Sequence, residues 1–248
     1  MRSTGSTIFL PGGTSGIGRG LAERFAARGD RVIIGGRRQE LLDEITATSD
    51  RIEAVRIDIA DPASIREASA EVQQRFPETD ALLLMAGIMR PEDVTTGGFL
   101  ETAEATIATN LLGPIRLWAA WADFLTGKDS ATLLTVSSGL AFTPLALTPT
   151  YDATKSAIHA LSDAWRFQLA GTGVQVVELV PPAVQTDLMP GPNTANAMPL
   201  DEYLAETMAL LESRPDAHEI LVEQVHPLRF SERDGTRDDL MAMLAGAH

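Results

Sequence analysis

The chain has 248 residues, 44% of them hydrophobic, a net charge of −14 and no cysteine. That length suits one large α/β domain or two small ones, and the missing thiols exclude disulfides, thiolate catalysis and Cys-ligated metals. Histidines scattered at 159, 218, 226 and 248 have no ligand spacing, so no metal is expected; the acidity disfavours nucleic acid and anionic membranes, and a polar start without a bilayer-length apolar run predicts a cytoplasmic protein.

Thr7 to Leu10 is a short apolar run that ends in Pro11-Gly12-Gly13-Thr14-Ser15-Gly16-Ile17-Gly18. Ile17, Leu21 and Phe25 then recur at helical spacing up to Gly29, a helix stop. A strand–glycine turn–helix unit suits a dinucleotide: glycines let the backbone approach closely, and the helix N-terminus offers unpaired N–H groups to a pyrophosphate. Val32 to Ile34 is a second strand, and it ends in Gly35-Gly36-Arg37-Arg38. NAD-binding folds usually place a carboxylate near here for the ribose 2′-OH. Two guanidiniums suit a 2′-phosphate instead, so NADP(H) is expected over NAD(H). The alternative is surface charge opening a helix, where cations are disfavoured.

Helix Gln39–Ala47, strand Ile52–Ile57 and helix Pro62–Phe76 follow. Ala81 to Met85 is a strand without polar alternation, as expected when both faces are covered. A long helix is expected over 99–124, a strand over 131–136, a long helix over 150–170 and a strand over 174–180. Strands alternating with helices predict an α/β fold, a single Rossmann-type doubly wound parallel sheet with helices on both faces, occupying one domain over 1–248. Residues 181–199 hold five of the 14 prolines and read as a lid loop. A distinctive tail, 200–248, closes the chain.

Within the 150–170 helix, Tyr151 and Lys155 lie four residues apart and share a face. A neighbouring ammonium favours the phenolate, which would make Tyr151 a usable general acid or base. Ser138 precedes the tyrosine by thirteen residues. Taken singly, Ser138 is also readable as a loop hydroxyl, Asn110 as a polar residue in a kinked helix before Pro114, and Lys155 as surface charge.

These residues resemble the short-chain dehydrogenase/reductase family over about residues 5–190. The resemblance implies a catalytic set of Asn110, Ser138, Tyr151 and Lys155. Tyr151 would exchange a proton with the substrate oxygen and Ser138 would hydrogen-bond that oxygen. Lys155 would lower the tyrosine pKa and hold the nicotinamide ribose, and Asn110 would bind a water linking Lys155 to solvent. It implies cofactor contacts at Gly12, Thr14, Ser15, Gly16, Ile17, Gly18, Arg37, Arg38, Asp58, Ile59, Ala86, Gly87, Pro181, Val184 and Thr186, besides Tyr151 and Lys155. The run Leu179 to Leu188 is similar to a branch labelled for D-alanine esterification of teichoic acids, a label that says little about substrate.

Three departures stand out. Pro11 replaces the family threonine and Leu84-Met85 replace two asparagines, so both sides of one hydrogen-bonded contact become apolar, a change that is nearly neutral when made together. Pro182 replaces a glycine. The family's common C-terminal elements are absent, which favours a homodimer over a tetramer. Met89, Ala141, Phe142, Leu188, Met189 and Met198 suggest a pocket for a hydrophobic small-molecule carbonyl or alcohol, although Phe142 and Met198 are equally readable as core. His159, one turn beyond Lys155, reads as solvent-facing and receives no role. The leading expectation is an NADP(H)-dependent oxidoreductase. The alternatives are a cofactor-binding regulator that does not catalyse, and an epimerase or dehydratase that retains its cofactor.

Overall fold

The computed structural model describes residues 4–188 and 197–246. Seven parallel strands form one sheet in the order β3-β2-β1-β4-β5-β6-β7. They are β1 (Thr7–Pro11), β2 (Arg31–Gly36), β3 (Ile52–Arg56), β4 (Ala81–Leu84), β5 (Ala131–Val136), β6 (Val174–Leu179) and β7 (Glu219–Ile220). The helices are α1 (Gly16–Arg28), α2 (Gln39–Thr46), α3 (Pro62–Arg75), α4 (Leu100–Ile107), α5 (Gly113–Thr126), α6 (Pro149–Leu169), α7 (Leu200–Ser213), α8 (His226–Arg229) and α9 (Arg237–Gly246).

Alternate side chains of the strands feed two cores. Ile8, Leu10, Ile34 and Leu179 meet Leu21, Phe25 and Leu42 of α1 and α2 and Leu204 of α7. Phe9, Ile33, Leu82 and Leu133 meet Ile65 of α3 and Leu117 and Trp121 of α5, with Trp165 of α6 packed against them. Both faces are therefore covered, which is why β4 and β5 are buried at every position. Trp121 stacks on Phe9 with centroids 5.3 Å apart and donates its indole N–H to Ser69 Oγ at 3.1 Å. Burying one such side chain contributes roughly 1.5–3 kcal/mol.

The helix expected over 99–124 is interrupted. A π-turn, Ala108–Leu112, separates α4 from α5. Pro114 has no N–H to give the carbonyl of residue 110, and the ladder opens at that point. Gly113 lets the bulged helix press onto the chain after β3, since a Cβ there would lie 2.3 Å from Ile59 Cγ2. Strand β7 was not foreseen. Two residues are too few to leave a periodic pattern, and its place beside β6 is fixed by the pairing Glu178–Glu219 and Leu179–Ile220.

The sheet order reverses direction between β1 and β4, which are hydrogen-bonded neighbours. Their following loops part to opposite faces and leave a crevice at the carboxyl ends of the strands, the usual ligand position in such sheets. Among the described residues no helix is long and apolar enough to cross a membrane.

Candidate active site

The glycine loop is built for close approach. Gly12 and Gly16 have φ of 92° and 51°, where a side chain is strained. A Cβ on Gly18 would stand 2.1 Å from the Gly12 carbonyl oxygen, and one on Gly12 would stand 2.8 Å from Ala86 Cα. The Gly12 N–H donates to Gly35 O at 2.8 Å, fixing the loop to the end of β2. Ser15 is the N-cap of α1, its side chain makes no capping hydrogen bond, and the first turn carries no acid. The N–H groups of that turn are left to an anion.

Of the other sequence-predicted cofactor residues, Ala86 and Thr186 lie against this loop. A Cβ on Gly36 would meet Thr14 Cγ2 at 2.5 Å, so Arg37 and Arg38 leave β2 beside the loop. Both arginines are exposed, and no described residue pairs with either. Asp58 is held in its turn by the Ala60 N–H, which donates to Oδ1 at 2.9 Å. The Ile59 side chain is committed to the core. Thr186 lies against Gly16, with Cγ2 3.3 Å from where a Cβ would be. Val184 bridges to Met198, and Gln185 N–H donates to Met198 O at 2.9 Å, closing the base of the loop expected to be a lid. Most of that loop, 189–196, lies outside the described residues.

Ser138 caps the short 3-10 turn Gly139–Ala141 and is 7% exposed. Its Oγ accepts from Leu140 N–H at 3.1 Å, and it stands on the site side of the buried Tyr151, whose pKa it lowers. Gly139 N–H donates to Pro181 O at 2.9 Å and ties the serine loop to the chain after β6. Lys155 is also buried, yet its ammonium does not meet the phenol. It donates to Val136 O at 2.9 Å, with Nζ 5.5 Å from the Tyr151 ring centroid.

The expectation that Lys155 holds the phenol down is therefore corrected for the free protein. Burial pushes the Tyr151 phenol up, with Ser138 acting the other way and the Asp152 charge adding to the rise. Burial pushes Lys155 down to about 8, and the Glu178 carboxylate opposes that fall. Asn110 sits in the π-turn and is 1% exposed. Its Oδ1 accepts from Ile88 N–H at 2.8 Å and its Nδ2 donates to Ile88 O at 2.8 Å. The carboxamide thus anchors the loop after β4. A Cβ on Gly87 would stand 3.3 Å from Asn110 Oδ1 and 3.9 Å from Lys155 Nζ, so these three residues share one small space.

Beyond a cradle that admits only glycine and an uncapped helix start lie Ser138, Tyr151 and Lys155. The family pattern described as short chain dehydrogenase covers residues 6–196. The chain belongs to the short-chain dehydrogenase/reductase family. The uncharacterised oxidoreductase DltE of Bacillus subtilis (strain 168) is 38% identical over 192 residues, covering 76% of this chain and 75% of that protein. A short chain dehydrogenase from Burkholderia cenocepacia J2315, solved in complex with NADP, is 24% identical with a TM-score of 0.81 over 98% of this chain and 99% of that one. A family member from Burkholderia phymatum in complex with NAD has a TM-score of 0.81 at 17% identity, over 100% of this chain and 98% of that one.

The family departures fall where compensation requires. Pro11, Leu84 and Met85 line one small apolar cavity with Ile59, Ala86, Pro114 and Leu117. Of the proposed pocket residues, Met198 is 7% exposed and belongs to the core, and Phe142 packs against that core. Leu188 is exposed, Met89 and Ala141 are half-buried, and Met189 lies outside the described residues.

Two groups escaped the sequence reading. Asp152, inside the Tyr151–Lys155 motif, is 2% exposed. Its Oδ2 accepts from Leu145 N–H at 2.7 Å and its Oδ1 from the Thr148 hydroxyl at 3.3 Å, which closes the loop before α6. Burial pushes its carboxyl up to about 7, with Glu92 adding to the rise. His159, read as solvent-facing, is half-buried and engaged. Its Nδ1 lies 2.9 Å from the fully buried Glu178 Oε2, and its ring packs edge-on to Phe142 with centroids 4.7 Å apart. The partner comes from β6, and no helical spacing announces it.

Proposed function

We propose that this chain is an NADP(H)-dependent oxidoreductase that interconverts a C=O and a CH–OH group on a hydrophobic small molecule. It would work in the cytoplasm as a single-domain homodimer. The observation that carries the reading is the buried Tyr151 phenol, with Lys155 buried one turn along the same helix and Ser138 buried on the facing loop.

The glycine cradle and the start of α1 fit a dinucleotide pyrophosphate; Ala86 and Thr186 beside the loop, and Gly87 beside Lys155, support the same reading, in which Asp58 would meet the adenine end. The free guanidiniums of Arg37 and Arg38 support the 2′-phosphate form. When bound, the nicotinamide supplies or accepts the hydride. The residues do the rest. Ser138 and Tyr151 hydrogen-bond the substrate oxygen, and Tyr151 gives it a proton in the reducing direction. The free protein holds the phenol in its protonated, donating form. Lys155 orients the ribose and places positive charge near the phenol, where it favours the phenolate that proton transfer leaves behind. Asn110 fixes the loop through Ile88 and holds the floor beside Lys155.

Met89, Ala141 and Leu188 supply apolar surface near these groups and support a hydrophobic substrate. The dimer is supported by Leu100, Ile107 and Phe167, which are 55%, 39% and 83% exposed on α4 and α6. An assay of NADPH oxidation against a panel of ketones and aldehydes, with NADP+ reduction against the matching alcohols, tests the reading. Turnover of any pair supports it. A protein that binds cofactor yet turns over neither panel is the regulator instead.

A further inference from the structure

Glu178 is fully buried on β6, on the side of the sheet that α6 covers. A buried carboxylate without a counter-charge costs several kcal/mol, so its surroundings have to explain it. Its register partner on β7 is another acid, Glu219. Like charges directly opposite one another destabilise a strand pair. Two basic side chains meet this pair. Arg229 of α8 takes both oxygens of Glu219, at 2.9 and 3.1 Å, and His159 of α6 takes Glu178. Of the other acids on that helix face, Asp163 is held by Arg166 at 2.6 Å, and Asp152, three residues before Lys155, accepts from Leu145 N–H and the Thr148 hydroxyl. Oxygens of Glu178 and Glu219 and a nitrogen of His159 lie within 4.8 Å of one another. With Glu219 engaged at both oxygens by Arg229, the cluster is built as an ion-pair network and not as a metal site.

The network leads to Lys155. His159 follows it by one helical turn, roughly 5.4 Å along the axis. The acceptor of the Lys155 ammonium, Val136 O, belongs to the residue that pairs with Leu179, next to Glu178. No described carboxylate forms an ion pair with Lys155, and the ammonium is buried. We propose that Glu178, oriented by His159, is the counter-charge that keeps the buried Lys155 ammonium protonated, which makes both of them positioning residues for the reaction. The direction of the field agrees, since Glu178 raises the Lys155 pKa against the opposing effect of burial. The inference rests on Lys155 serving the reaction proposed above, but its first test does not need turnover.

The chain has two lysines, Lys128 and Lys155. Selective 13Cε-lysine labelling of the full chain therefore gives two signals, and Lys128→Arg identifies the one from Lys155. In Glu178→Gln the Lys155 midpoint is expected to fall by about 0.5–1.5 pH units relative to wild type, with Lys128 unmoved. An unchanged Lys155 midpoint in folded Glu178→Gln overturns the inference, because a merely structural role lowers Tm and leaves that midpoint alone. Should Glu178→Gln not fold, Glu178→Asp serves, as it keeps the carboxylate but draws it back from α6. A fall in its Lys155 midpoint supports the inference and no change overturns it. The second arm is the pH profile of kcat/KM, whose change must follow the NMR shift. A shifted Lys155 with an unshifted profile overturns the positioning role and leaves the reaction itself standing.

Discussion

The Lys155 ammonium donates to the Val136 carbonyl at 2.9 Å, and so ties the catalytic helix to the end of β5 while its charge is buried. The cost of that burial has a sign. The folded value, pushed down to about 8, lies below the ordinary 10.5. Between those two pH values the unfolded chain binds more protons than the folded one, so this group makes stability rise with pH there. Below 8 the buried charge is carried at a cost. Lys155→Met is expected to raise stability at pH 7 by about 1–3 kcal/mol while abolishing turnover. The gain should shrink as pH rises through that window. Urea unfolding of both proteins at pH 7 and 10 checks it, and a less stable variant at pH 7 contradicts it.

Arg37 and Arg38 have no partner among the described residues, so each guanidinium is free to meet a phosphate. Arg37→Ala should weaken NADP(H) by roughly 10- to 100-fold, with little change for NAD(H). Fluorescence titration of both cofactors reads this directly. A wild type that prefers NAD(H) refutes the role given to the arginines.

Gly18 has no room for a methyl group, whose carbon would sit 2.1 Å from the Gly12 carbonyl oxygen. The obstacle is backbone, so the loop itself must move. Gly18→Ala should lose cofactor binding and stability together, by about 1–3 kcal/mol. Calorimetry with and without cofactor measures both losses. Unchanged affinity would show that the loop does not hold the pyrophosphate.

Phe167 is 83% exposed on α6, and Leu100 and Ile107 are exposed on α4. A two-fold pairing of these helices would bury them. Light scattering at micromolar concentration should give a dimer mass, and Phe167→Asp should give a folded monomer. A monomeric wild type removes the pairing, and a tetramer means that the tail pairs as well.

The parallel sheet was legible because β1, β2 and β4 have apolar centres and strand-like runs alternate with helical ones, punctuated by glycine and charge. The glycine loop was legible because its spacing carries its geometry. What the sequence hid is long-range. Tyr151 and Lys155 share a helix face, but where the ammonium points is decided by a carbonyl on β5. The π-turn at Asn110 follows from Pro114, whose presence suggested a kink but not a bulge. Asp152 looked like filler inside a motif, and its burial depends on Leu145 and Thr148 folding back over it. Glu178 and His159 are nineteen residues apart on different elements, and only the packing of α6 on β6 makes them a pair. Phe142 and Met198 flank the site motifs in sequence and pack into the core in space.

The acid–base role of Tyr151 is the centre of the proposed chemistry, and Tyr151→Phe isolates it. The substitution keeps the ring and its burial and removes only the transferable proton. Measured on a substrate found by the ketone and alcohol panels, kcat should fall by about 10²–10⁴-fold, with cofactor affinity nearly unchanged. Wild-type-like turnover in that variant would contradict the assignment.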